Sequence, residues 1–347
     1  MTRHGSGPTN SASGRGAPSA SRGKEPSEQE AGAQVRDVTV CVCTFRRPSV
    51  LAAIESVASQ KLPAGTRLYI LVVDNDMTPS AQEIVESFRA RTPAALEYRH
   101  APGRNISAAR NEALRAASTR WLAFLDDDEY APPDWLARLL AARAGANVVF
   151  GPCQAIYPQG TPPWMRDGDY HSNRLPARKR PIDTGYTSNV LIDMNFVRDN
   201  LLQFDPALGR TGGEDTFFFH AMYHRGAVLK YAPQAAVYEE VAPSRLNLRW
   251  IARRKFRAGQ VYALMFLRFD GAAYRRAAWS SPLKIGACVA MCGITLLDHR
   301  RAMRWLVRGT FHAGILSYVL GMKIYQEYGD GAAEARKVTR DPSVLLQ

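Results

Sequence analysis

The chain has 347 residues, 46% of them apolar, which is ordinary for a globular protein and enough for one large domain plus an appendage. Five scattered cysteines, an odd number without zinc-type partners, argue against a disulfide scaffold or zinc module and read as reduced core residues of a cytosolic protein. The formal charge is +13, and residues 245–276 hold nine Arg and Lys against one acid, Asp270, so a phosphate-bearing ligand or anionic surface is expected there.

Residues 1–36 are rich in Gly, Ser, Ala, Pro and Arg and lack an apolar run, so they read as a disordered tail without a signal peptide. Val38–Thr44 is apolar on both faces, as a central parallel strand should be. A helix is expected from Pro48 to Gln60, with Leu51, Ile54, Val57 and Ala58 on one stripe. Strands at Leu68–Asp74, Leu96–Arg99, Trp121–Asp126 and Val148–Phe150 then alternate with helices at Ser80–Arg89, Asn105–Ala117 and Pro133–Arg143. This alternation predicts an α/β domain over 37–244 with a mainly parallel, doubly wound sheet.

Residues 151–185, rich in Pro, Gly and charge, read as a long loop over the site, followed by a strand at Ser188–Asp193 and a helix at Thr216–His224. A basic helix is expected over 245–277 and an apolar helical region over 278–330, with a flexible tail at 331–347. Its apolar stretches, Leu283–Leu297 and Gly309–Tyr325, contain Lys284, His312 and Lys323. Neither reaches the roughly 20 clean apolar residues of a spanning helix. Helices lying in a membrane interface, with Trp279 and Trp305 at headgroup level, fit better; a soluble hairpin packed on the core is the alternative.

Three strands end on a polar residue: Thr44, Asp74 and Asp126. Open α/β sheets bind ligands at the carboxyl ends of their strands. Turn formation explains any one of these residues more easily than all three together. The run Asp126-Asp-Asp-Glu129 holds no Lys or Arg of its own, so its charge invites a hard divalent cation that also holds phosphates. By strand alternation, Asp126 and Asp128 face one target and Asp127 points elsewhere. Asp74 could accept from a base or ribose, or act as a cap.

Gly103–Asn111 opens a helix whose small residues let it lie close to a neighbour, bringing Arg110 toward the phosphates. Ser107 and Asn111 pack or cap in the alternative reading. Glu214 and Asp215 follow Gly212-Gly213 in a first helical turn, where the dipole favours their charged form, as a general base requires. Arg245, Arg249, Arg253 and Arg257 recur every four residues with Arg254 and Lys255 beside them, a stripe suited to diphosphate oxygens or anionic lipid heads, or to solvent alone. No aromatic-interleaved platform or groove-reading motif points to nucleic acid.

Thr44-Phe-Arg-Arg-Pro48, Val73-Asp-Asn75, Gly103-(x)3-Ser107-Ala-Ala-Arg-Asn111, Phe124-Leu-Asp-Asp-Asp128 and Gly213-Glu-Asp215 occur in this order. Together they resemble the family-2 glycosyltransferases, inverting enzymes of the GT-A fold. The resemblance runs from Val38 to Arg257, and within the family it is closest to bacterial enzymes that extend exopolysaccharide repeat units on a polyprenyl-diphosphate carrier, succinoglycan-type transferases among them.

The resemblance implies a nucleotide-sugar site at Thr44, Arg46, Asp74, Arg110, Asp126, Asp127 and Glu214. Asp126 and Asp128 would be the outer members of the Asp-x-Asp signature, with Mg²⁺ or Mn²⁺ at Asp128, and Asp215 the catalytic base. Arg249, Arg253, Arg254 and Arg257 would meet diphosphate or lipid heads, and Glu239 or Glu240 would add a metal ligand. The processive members' Gln-x-x-Arg-Trp motif survives only as Arg249-Trp250, which implies single-sugar addition. The implied donor is a UDP-sugar, the acceptor a polyprenyl-diphosphate-linked saccharide, and the location the cytoplasmic face of the bacterial inner membrane.

Two rival readings remain open on sequence. A nucleotidyltransferase would want a glycine-rich loop after the first strand, where Arg46 and Arg47 stand instead. A non-catalytic module binding anionic membrane or glycan would show no metal-dependent nucleotide affinity.

Overall fold

A computed structural model describes residues 37–175 and 181–324. The tails expected at 1–36 and 331–347 lie outside the described residues. Seven strands form the main sheet: β1 Val38–Thr44, β2 Leu68–Asp74, β3 Ala95–His100, β4 Trp121–Asp126, β6 Val148–Phe150, β8 Asn189–Asp193 and β9 Leu229–Tyr231, in the order β3-β2-β1-β4-β8-β6-β9. β3, β2, β1 and β4 run parallel, and β8 is antiparallel to both its neighbours. The apolar runs of β1 and β4 are buried almost throughout, because helices cover both faces of the sheet.

The expected helices are present with tighter ends: α1 Val50–Ala58, α2 Gln82–Arg89, α3 Ile106–Ala116 and α4 Trp135–Ala142. Asn105 caps α3 by accepting from the Ala108 amide, which fixes where that helix begins beside the sheet. After β8 come α6 Met194–Asp199 and α7 Glu214–His224. Aromatic packing anchors α7 under the sheet: Phe218 stacks on Phe204 at 4.0 Å between centroids, and Phe204 meets Phe124 of β4 edge-on at 6.3 Å. Gly213, at the N-cap of α7, holds φ +96°, a conformation that side-chain-bearing residues rarely adopt.

Residues 151–185 are not one loop. They carry β7 Cys153–Ile156 and α5 Pro163–Gly168. β7 joins β5 Glu129–Tyr130 and β10 Val237–Glu240 in a second sheet, ordered β5-β10-β7. Four extended residues at the start of a Pro- and Gly-rich stretch leave little periodicity to read, and their partner strand lies more than 80 residues away.

The basic helix also differs from expectation. α8 runs Leu248–Phe269, capped by Asn247, and Arg245 belongs to a separate 3₁₀ turn, Pro243–Arg245. The four-residue arginine stripe therefore begins at Arg249. Asp270 caps the next helix, α9 Gly271–Ile294, which includes Pro282 and is followed by α10 His299–Val319. Among the described residues α9 is long and apolar enough to cross a membrane. α8 and α10 cross at two glycines: an added Cβ at Gly259 would lie 2.0 Å from the Phe311 carbonyl oxygen, and one at Gly314 would lie 1.9 Å from that of Phe256. Only glycine allows backbones to approach this closely.

Candidate active site

The carboxyl edge of β1, β2 and β4 gathers most of the expected residues. Thr44 lies in register with Asp74, and its hydroxyl donates to Asp127 Oδ2 at 2.8 Å. β4 ends at Asp126, after which Asp127 and Asp128 form the turn into β5. Strand alternation therefore does not extend through the triplet. Asp127 and Asp128 share one partner: Arg47 Nη1 donates to Asp127 Oδ1 at 2.9 Å and to Asp128 Oδ2 at 2.5 Å.

A second guanidinium reaches the same point. Arg245 Nη2 lies 3.3 Å from Asp128 Oδ2, while its Nη1 pairs with Glu239 Oε1. The acidic run thus has countercharges, supplied from distant positions in the chain. Arg46 faces away from this run, with Nε donating to Asp76 Oδ2 at 2.7 Å.

Burial pushes the Asp126 carboxyl up to about 7; Arg110 opposes the shift, and Asp128, Asp127 and Glu239 add to it. Burial also raises Asp127 and Glu239. Beneath them, Glu129 is buried and accepts from the Asp126 amide at 3.0 Å. Glu129, Cys153 and Glu239 bring their donor atoms within 4.8 Å of one another. Burial and the two glutamates hold the Cys153 thiol far above its ordinary value, so it presents no soft thiolate. Close by, Asp128 and Glu239 share Arg245 as a partner, and their hard carboxylate oxygens suit an ion such as Mg²⁺ or Mn²⁺.

On the other side, Arg110 is buried and pairs with Glu214 Oε1. Its charge is strengthened by Glu214, Asp126 and Asp215, against the penalty of burial. Glu214 Oε2 is buried without a hydrogen-bond partner. Asp215, half-buried, accepts through Oδ1 from the Thr216 amide at 2.6 Å, and its Oδ2 takes no hydrogen bond among the described residues. Arg110 therefore links the first turn of α7 electrostatically to the end of β4.

Asp74 is fully buried. Its carboxylate accepts from the amides of Asp76 and Ala81 at 3.0 and 2.8 Å and from the Tyr98 hydroxyl at 2.9 Å. It organises the loop after β2 from within. Asn75 does similar work, donating to the Ala101 carbonyl and accepting from the Asn105 amide.

The basic stripe divides. Arg249 and Arg253 are exposed. Arg254 donates to Asn173 Oδ1 at 2.9 Å and lies over Trp250, while Arg257 Nη1 donates to the Thr211 carbonyl beside the glycine turn of α7. His171 stacks on Trp250 from the far side of the 151–175 segment, centroids 5.1 Å apart. By sequence Arg245 belongs to the basic stripe and Arg47 follows the first strand, but the pairing of both with the acidic triplet, and this aromatic clasp, escaped the sequence reading. Arg47 carried a readable signal, since it follows Thr44 closely; the Arg245 pairing carried none, its partner Asp128 lying 117 residues away.

Comparison with known proteins places the chain among glycosyltransferases. The profile described as Glycosyl transferase family 2 matches residues 39–201. Succinoglycan biosynthesis protein ExoM of Rhizobium meliloti (strain 1021) is 39% identical over 307 residues, covering 87% of this chain and 97% of that protein. Validoxylamine A glucosyltransferase of Streptomyces hygroscopicus subsp. limoneus is 29% identical over 129 residues, 36% of this chain and 28% of its own length. Among solved structures, the mannosyltransferase PcManGT from Pyrobaculum calidifontis, in complex with GDP-Man and Mn²⁺, superposes with a TM-score of 0.56 at 17% identity, covering 82% of this chain and 87% of that one. The shared fold is GT-A.

Proposed function

We propose that this chain, which belongs to glycosyl transferase family 2 and is a glycosyltransferase, moves a single sugar from a nucleoside-diphosphate donor, a UDP-sugar, to a lipid-linked saccharide acceptor with inversion at the anomeric carbon. The observation that carries the reading is the Arg110 bridge: one buried guanidinium lies between Glu214 at the head of α7 and Asp126 at the end of β4. It ties the helix turn that carries Asp215 to the strand end that leads into Asp127 and Asp128.

In this reading Asp127, Asp128 and Glu239 hold Mg²⁺ or Mn²⁺, which when bound neutralises charge on the leaving diphosphate. Thr44 fixes Asp127, and Asp74 shapes the nucleotide loop from beneath. Asp126 and Glu214 border the sugar. Asp215 takes the proton of the acceptor hydroxyl as its oxygen bonds to the anomeric carbon and the carbon–oxygen bond to the diphosphate breaks. A single in-line displacement inverts the configuration. Arg249 and Arg253, exposed on α8, meet the acceptor's diphosphate or anionic lipid heads; Arg254 and Arg257 serve through the contacts that fix the 151–175 segment and the α7 turn.

In this reading the protein sits at the cytoplasmic face of a membrane, and α9 supports the membrane contact. Trp279, Leu283, Val289 and Ile294 are exposed along it, and Leu296 and Leu297 follow at the turn into α10. Soluble proteins seldom leave so continuous an apolar face in water. A lipid-linked acceptor gives that face and the arginines a common purpose.

Titration of the chain with UDP, with and without Mn²⁺, tests the donor assignment. Binding that depends on the metal is expected; UDP binding indifferent to Mn²⁺ contradicts it.

A further inference from the structure

Arg245 stands where a cation is wanted. Like Arg47 it reaches Asp128, and it also pairs with Glu239. Both of its carboxylate partners belong to the hard-oxygen set described above. The guanidinium therefore occupies the gap between two carboxylates that a divalent ion would bridge. Two cations in that gap repel strongly, the more so because the ion is divalent.

Its surroundings give it somewhere to go. Arg245 is the last residue of a short 3₁₀ turn ahead of α8, and its side chain is about a quarter exposed. Its guanidinium lies over Trp250, 5.7 Å from the ring centroid, and its carbonyl oxygen accepts from His171 Nε2 at 3.0 Å. The backbone is thus held, while the side chain is partly open to solvent, from which phosphate oxygens can reach a planar guanidinium.

We propose that Arg245 is a built-in counter-cation of the acidic cradle, which holds Asp128 and Glu239 together before the donor arrives, is displaced by the divalent ion, and transfers to the donor's diphosphate. The inference rests on the donor reading above. It makes metal and nucleotide binding mutually reinforcing: the ion evicts the guanidinium, and the diphosphate rehouses it.

The test is to titrate wild type, Arg245→Ala and Arg245→Lys with Mn²⁺, reading free Mn²⁺ by paramagnetic resonance, with and without UDP. Without UDP, the Ala variant is expected to bind Mn²⁺ more tightly by on the order of tenfold, since a competing charge is gone. The Lys variant should fall between, because a compact ammonium keeps the charge but lacks the planar fork that spans the two carboxylates. The factor by which UDP tightens Mn²⁺ should shrink several-fold in the Ala variant. Should Arg245→Ala fail to fold, Arg245→Lys and Arg245→Gln carry the same comparison. If Arg245 only braces Trp250 and the 151–175 segment, its removal leaves Mn²⁺ affinity unchanged or weaker, and either result overturns the proposal. Metal-dependent UDP binding in wild type without that tightening defeats the counter-cation role alone. Absence of UDP–Mn²⁺ binding in all three proteins defeats the donor reading with it.

Discussion

The guanidinium of Arg110 is buried against the carboxylate of Glu214, 104 residues further along the chain. Buried ion pairs are costly to break from one side, because the remaining charge stays in a poor solvent. Arg110→Ala is expected to lose about 3–5 kcal/mol in urea unfolding. Replacing both residues with leucine should recover much of that loss while leaving transfer abolished. A stable Arg110→Ala protein would show that the pair does not hold α7 against β4.

Asp74 presents a different balance, since its carboxylate serves protein donors on all sides. Asp74→Asn turns one acceptor oxygen into an amide that faces another N–H, at an expected cost of about 1–3 kcal/mol. Tyr98→Phe, which removes one donor, should cost about 1 kcal/mol. Denaturant midpoints check both. An Asp74→Asn protein as stable as wild type would instead leave this carboxylate free for a nucleotide.

His171 makes the fold sensitive to acid. Its Nε2–H donates to the Arg245 carbonyl, so Nδ1 accepts from the Tyr157 hydroxyl, and protonation would break that bond. Burial first, then Arg254 and Arg245, hold its pKa below the ordinary value. With the folded pKa depressed, the unfolded chain takes up the proton first. The contribution to stability is complete above about pH 6.5 and is lost as pH falls through the folded pKa. Wild type should therefore lose thermal stability between about pH 7 and 5 more steeply than His171→Gln. Parallel curves for the two proteins would contradict this.

The apolar face of α9 predicts membrane binding with a defined sensitivity. Leu283→Glu combined with Val289→Glu should lower co-sedimentation with anionic vesicles by on the order of tenfold, while transfer to a water-soluble acceptor persists. Neutral vesicles should bind wild type less well, given the exposed Arg275, Arg276 and Lys284 on the same helix. Unchanged sedimentation of the double variant would remove α9 from the membrane contact.

The parallel half of the sheet was legible because its strands are buried on both faces and its helices carry regular stripes: Val38–Thr44, Leu68–Asp74 and Trp121–Asp126 end where composition places them. Thr44 and the acidic triplet were legible for the same reason, since a polar residue closing an apolar run marks a strand end. The second sheet was not, because β7 and β10 are four residues each and pair across a long interval. The roles of charged residues were least legible. Arg46 and Arg47 are adjacent, yet Arg46 takes φ +56° and turns to Asp76 while Arg47 reaches the triplet. Arg245 fits the arithmetic of a helical stripe, but Pro243 and the Asn247 cap set it outside the helix. Periodicity reports which residues share a face only after the element's ends are known.

The central claim is that Asp215 removes the acceptor's proton in a single displacement. The most direct measurement compares sugar transfer by Asp215→Asn with transfer by wild type, alongside UDP–Mn²⁺ affinity for each. The account predicts a loss of turnover of about 10²–10⁴-fold with donor affinity retained. Turnover near the wild-type rate would contradict it.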